Sequence, residues 1–194
     1  LAPRNGLPSL DTPWSIGEKT YRQIVDLLSK RDIGRIVEFG SGASTVRMGH
    51  DFPGAEIVSF EHHKRHYEHT AELLAQHDVP NVTVLYCPIR RHRIGIRSYL
   101  TYDLRRCRIG RGIDFVLIDG PVEAETLRGR EAPLYLLFPL VATGGLILLD
   151  DYHRESAKAV VRNWLRSYRG NLQIVQQRHD TVLLEKLGQQ NRPG

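Results

Sequence analysis

The chain has 194 residues and a mass of 22.2 kDa, with 41% hydrophobic residues, which suits one domain with a sizeable core rather than two. Lys and Arg number 27 against 22 Asp and Glu, a formal +5 that an ordinary solvated surface can carry. Apolar runs such as 134–142 are too short for a membrane span, and no basic stretch with an apolar run opens the chain. A soluble cytoplasmic protein, monomer or homodimer, is therefore expected, with no membrane partner. Cys87 and Cys107 stand far apart in sequence and read as two reduced thiols.

Residues 1–17, punctuated by Pro3, Gly6, Pro8 and Pro13, read as an irregular arm anchored by Trp14. A single domain follows over 18–187, with a disordered tail at 188–194. Tyr21, Ile24, Val25, Leu27 and Leu28 recur at helical spacing and predict a helix over 18–30. Ile36, Val37 and Phe39 suit a short buried strand that ends in Gly40-Ser41-Gly42. Glycines there permit positive φ and close approach of a ligand. Ser44 or Thr45 can cap the next helix, placed at 45–51, whose free N–H groups point back at the turn.

A second apolar run, Ile57 to Phe60, ends in Glu61 about 20 residues after the glycines, the spacing that puts a carboxylate on ribose hydroxyls. Glu38 would repel a pyrophosphate but suits a sulfonium or ammonium group. His62, His63, His66 and His69 read as part of a solvated helix over 64–77 rather than a metal cluster, and Val82–Tyr86 as a third strand. Residues 88–112 lack sustained periodicity and exceed an ordinary connection. They hold Arg90, Arg91, Arg93, Arg97, Arg105, Arg106, Arg108 and Arg111, which suit bidentate capture of phosphate or carboxylate. We read this insertion as facing the substrate, tied to the core by Ile94, Ile96, Tyr99, Leu100, Tyr102 and Leu104.

The fourth strand, Ile113–Ile118, ends in Asp119-Gly120-Pro121. A helix over 123–138 should break or kink at Pro133. Leu146–Leu149 follows a Gly144-Gly145 turn and ends in Asp150-Asp151. Ala159, Val160, Trp164, Leu165 and Tyr168 mark a helix over 155–168. Residues 172–175 and 181–185 then flank His179-Asp180 as an antiparallel hairpin.

The ordered set Glu-Phe-Gly-Ser-Gly (38–42), Glu61, Ile-Asp-Gly-Pro (118–121) and Gly-Gly-Leu-Ile-Leu-Leu-Asp-Asp (144–151) resembles the class I S-adenosylmethionine (SAM)-dependent methyltransferases over 35–187. That resemblance implies an α/β fold with a doubly wound, mostly parallel, seven-stranded Rossmann-like sheet and a terminal antiparallel hairpin. It implies SAM as cofactor, with Glu38, Gly40, Ser41, Gly42, Ser44, Thr45, Glu61, His62, Asp119 and Gly120 at its site and His62 against the adenine. Leu85-Tyr86-Cys87-Pro88 stands where many members carry Gly-Asp-Ala, which leaves adenine recognition without that acid. The function expected is O-methylation of a small, anionic substrate. A nucleic-acid binder or modifier using the arginines and an NAD-dependent oxidoreductase are the alternatives.

Asp119, Asp150 and Asp151 should meet beside the cofactor turn. Carboxylates about 4 Å apart repel by roughly 4 kcal/mol at an effective dielectric near 20, so the cluster needs a cation, a proton or an arginine. Oxygen ligands suit Mg²⁺, Mn²⁺ or Ca²⁺, and the three positions match the metal ligands of catechol-type O-methyltransferases. Metal is thus an optional assistant, with turn-bracing and helix-capping as the alternative roles. Gly120-Pro121-Val122 replaces the lysine those enzymes place after the first ligand. Asp119 and His153 are the candidate catalytic residues, His153 as base.

Overall fold

The computed structural model describes residues 6–11, 16–122, 126 and 128–188; Trp14, residues 189–194 of the expected tail, and 123–125 and 127 lie outside them. Its elements in chain order are α1 (Gly17–Leu28), β1 (Arg35–Phe39), α2 (Ala43–Asp51), β2 (Glu56–Glu61), α3 (Lys64–Gln76), β3 (Val82–Tyr86), β4 (Ile89–Ile94) and β5 (Arg97–Tyr102). After a 3-10 turn at Leu104–Arg106 come β6 (Ile113–Ile118), α4 (Ala132–Leu137), β7 (Val141–Leu149), α5 (Glu155–Ser167), β8 (Leu172–Gln177) and β9 (Val182–Lys186). No helix among the described residues is long and apolar enough to cross a membrane.

Seven strands form one sheet in the order β3-β2-β1-β6-β7-β9-β8. The first five are parallel, and β9 runs antiparallel to both β7 and β8. Both faces are covered, which is why β1, β2 and β6 read as nearly continuous apolar runs rather than alternating ones. Val37, Phe39, Val116 and Ile118 pack in a cluster that includes Leu134, Trp164 and Tyr102. Ile36, Ile57, Phe115 and Leu117 pack on the other side with Tyr21, Ile24, Leu28 and Met48, and Leu10 and Ile16 join them. The chain winds outward from β1 to β3, returns to β6 at β1's other edge and continues to β7. This reversal opens a crevice at the carboxyl ends of β1 and β6, where α/β sheets bind ligands.

Three expected elements change. Residues 88–112 contain an ordered antiparallel hairpin, with Ile94 opposite Arg97 across a two-residue Gly95-Ile96 loop. Gly95 has φ +59°, the left-handed backbone that such tight loops demand. Charged residues on exposed edges masked the period of two. Of the helix expected over 123–138, the described residues show Ala132–Leu137, and Pro133 sits in its first turn, where its missing N–H costs nothing. Gly144-Gly145 is not a separating turn but an irregularity inside β7, where the register on β6 shifts between Ile113 and Phe115. The two cysteines, distant in sequence, meet with their Sγ atoms 3.3 Å apart as free thiols.

The hairpin is docked through a buried acid. Glu131 is 2% exposed, and its Oε1 accepts hydrogen bonds from Tyr99 at 3.3 Å and Tyr135 at 3.0 Å, with Arg97 at 3.6 Å. Its carbonyl accepts the Trp164 indole N–H at 2.8 Å, and Thr101 donates to the Gly129 carbonyl at 2.9 Å. A Glu131→Ala substitution removes the acceptor of the Tyr99 hydroxyl and leaves Tyr135 only Ser167 at 3.4 Å, and should destabilise the fold by about 2–3 kcal/mol. Tryptic cleavage at Arg93 and Arg97 should speed up in parallel. Unchanged unfolding and proteolysis would contradict this anchoring.

Candidate cofactor site and acidic cluster

Strands β1 and β6 end in glycines that touch. The N–H groups of Asp119 and Gly120 both donate to the Phe39 carbonyl, at 3.0 and 2.8 Å, and Gly40 N–H donates to the Phe60 carbonyl at 2.9 Å. Gly40 has φ +98°, and a Cβ on it would lie 3.2 Å from the Gly120 nitrogen. Gly42 serves differently. Its φ of 172° is ordinary extended backbone, so positive φ is not its reason; a Cβ there meets no atom within 4 Å. The turn is thus closed against protein at Gly40 and open at Gly42, leaving room for a ligand against the backbone.

Two glutamates hold this turn, and their surroundings shift their proton affinities in opposite directions. Glu38 is fully buried and takes hydrogen bonds from Thr45 (2.5 Å), Ser59 (2.6 Å) and Ser44 (2.8 Å). Burial pushes its carboxyl up to about 7, against the lowering effect of those hydroxyls. Glu38 therefore braces the turn from below instead of facing a cationic ligand directly. Ser44 and Thr45 point inward to it, and the helix cap passes to Gly42, so α2 starts at Ala43 and not at Thr45. Thr45 Oγ1 also accepts the Gly42 N–H at 2.8 Å.

Glu61 accepts Ser41 N–H at 3.1 Å on one oxygen and the His62 and His63 N–H groups, each at 2.7 Å, on the other. Burial works against its charge, yet the His62 side chain and the His63 and Ser41 amides outweigh it and hold the carboxyl below its ordinary range. Glu61 is the anion of the site, and its bond to Ser41 fixes the second strand's end to the glycine turn.

Asp119, Asp150 and Asp151 do converge, with carboxylate oxygens all within 4.8 Å of one another. The counter-charge is a residue absent from the sequence reading: Arg130. Its buried guanidinium lies 2.9 Å from Asp151 and 3.6 Å from Asp119, and also donates to the carbonyls of Pro121 and Asp150. Arg154 takes the other oxygen of Asp151 at 3.2 Å. Asp151, held at φ +59°, is thereby committed on both oxygens to guanidinium groups. Each of the three aspartates nonetheless offers one oxygen to a shared divalent ion, so guanidinium and metal are alternative counter-charges here. Burial, then the neighbouring Asp150 charge, pushes Asp119 well up, and burial raises Asp150 as well.

Residues 37–152 match the model of a family described as a methyltransferase domain, more than half of the chain. The chain belongs to this methyltransferase family. No curated protein matches the sequence significantly. Among solved structures, an O-methyltransferase from Bacillus cereus in complex with S-adenosylhomocysteine (SAH) aligns with TM-score 0.67 at 14% identity, over 94% of this chain and 84% of that one. The O-methyltransferase TomG from Streptomyces achromogenes, involved in tomaymycin synthesis and solved with SAM, aligns with TM-score 0.64 at 18% identity, over 92% and 84%. A SAM-dependent O-methyltransferase from Thermotoga maritima gives 0.62 at 11%, over 91% and 68%. The fold is that of the class I SAM-dependent methyltransferases.

Within this methyltransferase the expected residues separate into groups. Gly40, Ser41, Gly42, Glu61, His62, Asp119 and Gly120 gather at the crevice. Glu38, Ser44 and Thr45 lie beneath it. His153 meets a different acid: its Nδ1 is 3.3 Å from Asp180, and its ring stacks on His179 at 5.6 Å. It belongs to an exposed group with those two residues.

The raised Glu38 carboxyl makes a signed prediction. The fold binds this proton more tightly than the unfolded chain, whose carboxyl titrates near 4.5. The associated stability is complete below pH 4.5 and is lost as pH rises through about 7, by at most about 3 kcal/mol. In urea unfolding, Glu38→Gln should gain on the wild type by up to that amount between pH 4.5 and 8. A stability difference independent of pH would show that Glu38 is ionised in the fold.

Proposed function

We propose that this methyltransferase transfers the methyl group of SAM to an oxygen of a small anionic substrate. The observation that carries the reading is the Ser41–Glu61 hydrogen bond beside the open space at Gly42, which pairs a ribose-binding anion with a turn a ligand can approach. SAM, when bound, supplies an electrophilic methyl on a sulfonium. Glu61 would accept its ribose hydroxyls, and the Ser41-Gly42 backbone would hold its chain. Glu38, its proton affinity raised by burial, keeps the turn rigid. That raised affinity weakens charge repulsion as the reason for excluding a dinucleotide; family membership supports the methyltransferase reading instead. The O-methyltransferases that share the fold support oxygen as the acceptor atom.

Proton removal falls to the aspartates. Asp119 carries the proton shared with Asp150, and the ionised Asp150 accepts one from the substrate hydroxyl, a role suited to a carboxylate with raised proton affinity. Arg130 holds the pair in place and supplies positive charge without a divalent ion. The anionic part of the substrate is met by the hairpin. Arg90 and Arg105 pair with Asp103 and Arg97 with Glu131, whereas Arg91, Arg93, Arg106 and Arg108 are exposed and have no acidic partner among the described residues. Most of the rate gain comes from holding the two reactants in line.

Gly42→Val should leave unfolding unchanged, because its side chain enters empty space, and weaken SAH binding at least tenfold in calorimetry. Wild-type affinity in this variant would place the ligand elsewhere. Turnover on phenolic carboxylates, read by SAH release, should survive EDTA, and Asp150→Asn should lower kcat by about 10²–10⁴ while SAH binding persists. Loss of turnover with EDTA and recovery with Mg²⁺ would instead support the metal-assisted reaction. Tight, steeply salt-dependent RNA binding would favour the nucleic-acid reading.

A further inference from the structure

Tyr102, the last residue of β5, is 0% exposed. Its ring packs on Phe39 at 5.2 Å and stands edge-on to His62 at 5.5 Å. The hydroxyl lies directly over Gly120: a Cβ on that glycine would be 2.2 Å from Tyr102 Oη. This oxygen is buried and has no hydrogen-bond partner among the described residues.

A phenylalanine would make the same apolar contacts without stranding a polar atom, and a buried hydroxyl left unpaired is destabilising. The oxygen sits between the end of β2, which carries Glu61 and His62, and the end of β6, which carries Asp119 and Gly120. Those ends bound the crevice. Burial, with the Glu61 carboxylate beside it, pushes the phenol well up, so the hydroxyl keeps its proton and remains a donor. The backbone routes this residue to the site: Cys87 N–H donates to the Glu61 carbonyl at 2.7 Å, and the hairpin leaves from Pro88.

We propose that Tyr102 is a cofactor-binding residue contributed by the hairpin, its hydroxyl donating a hydrogen bond to the nucleoside part of the bound cofactor. This inference rests on the SAM-dependent reading above. Contact with His62 places the donor at the nucleoside end of the crevice. It supplies there a polar group that the third strand, ending in Tyr86-Cys87-Pro88, does not. Glycine at 120 is then required because any side chain would occupy the space of the hydroxyl.

The test compares the full chain and its Tyr102→Phe variant by calorimetry with SAH and with adenosine, and by thermal unfolding without ligand. Loss of one hydrogen bond should weaken both ligands by about tenfold. The ligand-free variant should unfold at the same temperature or higher, since the unpaired oxygen is gone. Unchanged or tighter SAH binding would overturn the proposal, as would weaker SAH binding with unaltered adenosine binding. A lower unfolding temperature would mean that the hydroxyl serves the fold. Failure of the wild type itself to bind SAH would remove the SAM-dependent reading and this inference together, whereas binding by both proteins with equal affinity removes only the inference.

Discussion

The close contact between the ends of β1 and β6 is the constraint on which the site depends. One carbonyl, that of Phe39, accepts both N–H groups of Asp119-Gly120, and this is possible only because neither Gly40 nor Gly120 carries a side chain. Strand order supplies the reversal that opens a crevice; the paired glycines bring its walls together. The turn that follows is then fixed by side chains from three elements. Glu38 of β1 gathers Ser44 and Thr45 of α2 and Ser59 of β2, and Glu61 of β2 reaches back to Ser41.

The acids of the strand ends do different work because their surroundings differ. Glu38 is surrounded by hydroxyls in a fully buried site and holds its proton up to about pH 7. Glu61, similarly enclosed, receives backbone amides and stays anionic. The three aspartates face the guanidinium groups of Arg130 and Arg154. Burying several carboxylates together would be costly without such compensation, and here it comes from α4's preceding turn and the start of α5. The same region anchors the arginine hairpin through Glu131, so the hairpin and the acidic cluster share one support.

The parallel core was legible because buried strands write themselves as apolar runs, and all but β3 ended in an acid or glycine that marked the crevice. The terminal antiparallel strands were legible from their alternation around His179-Asp180. What sequence could not show were contacts made at a distance. Arg130 lies in Arg128-Gly129-Arg130-Glu131, a stretch with no local sign that its second arginine is buried. Tyr102 looked like an ordinary core tether, and its unpaired hydroxyl exists only once β5 is laid over Gly120. The hairpin escaped notice because its arginines broke the apolar alternation, although Gly95 was the available signal. His153 was misplaced for a related reason: proximity in sequence to Asp150-Asp151 did not fix its partner, which is Asp180.

The central claim is that a SAM-type ligand occupies the crevice framed by Gly40, Glu61 and Gly120. Hydrogen-exchange mass spectrometry of the full chain with and without SAH tests it directly. The account predicts slowed exchange confined to the amides of 40–45, 61–63 and 119–120, with the β8–β9 hairpin unchanged. Uniform exchange on adding saturating SAH, or protection centred on another part of the sheet, would contradict it.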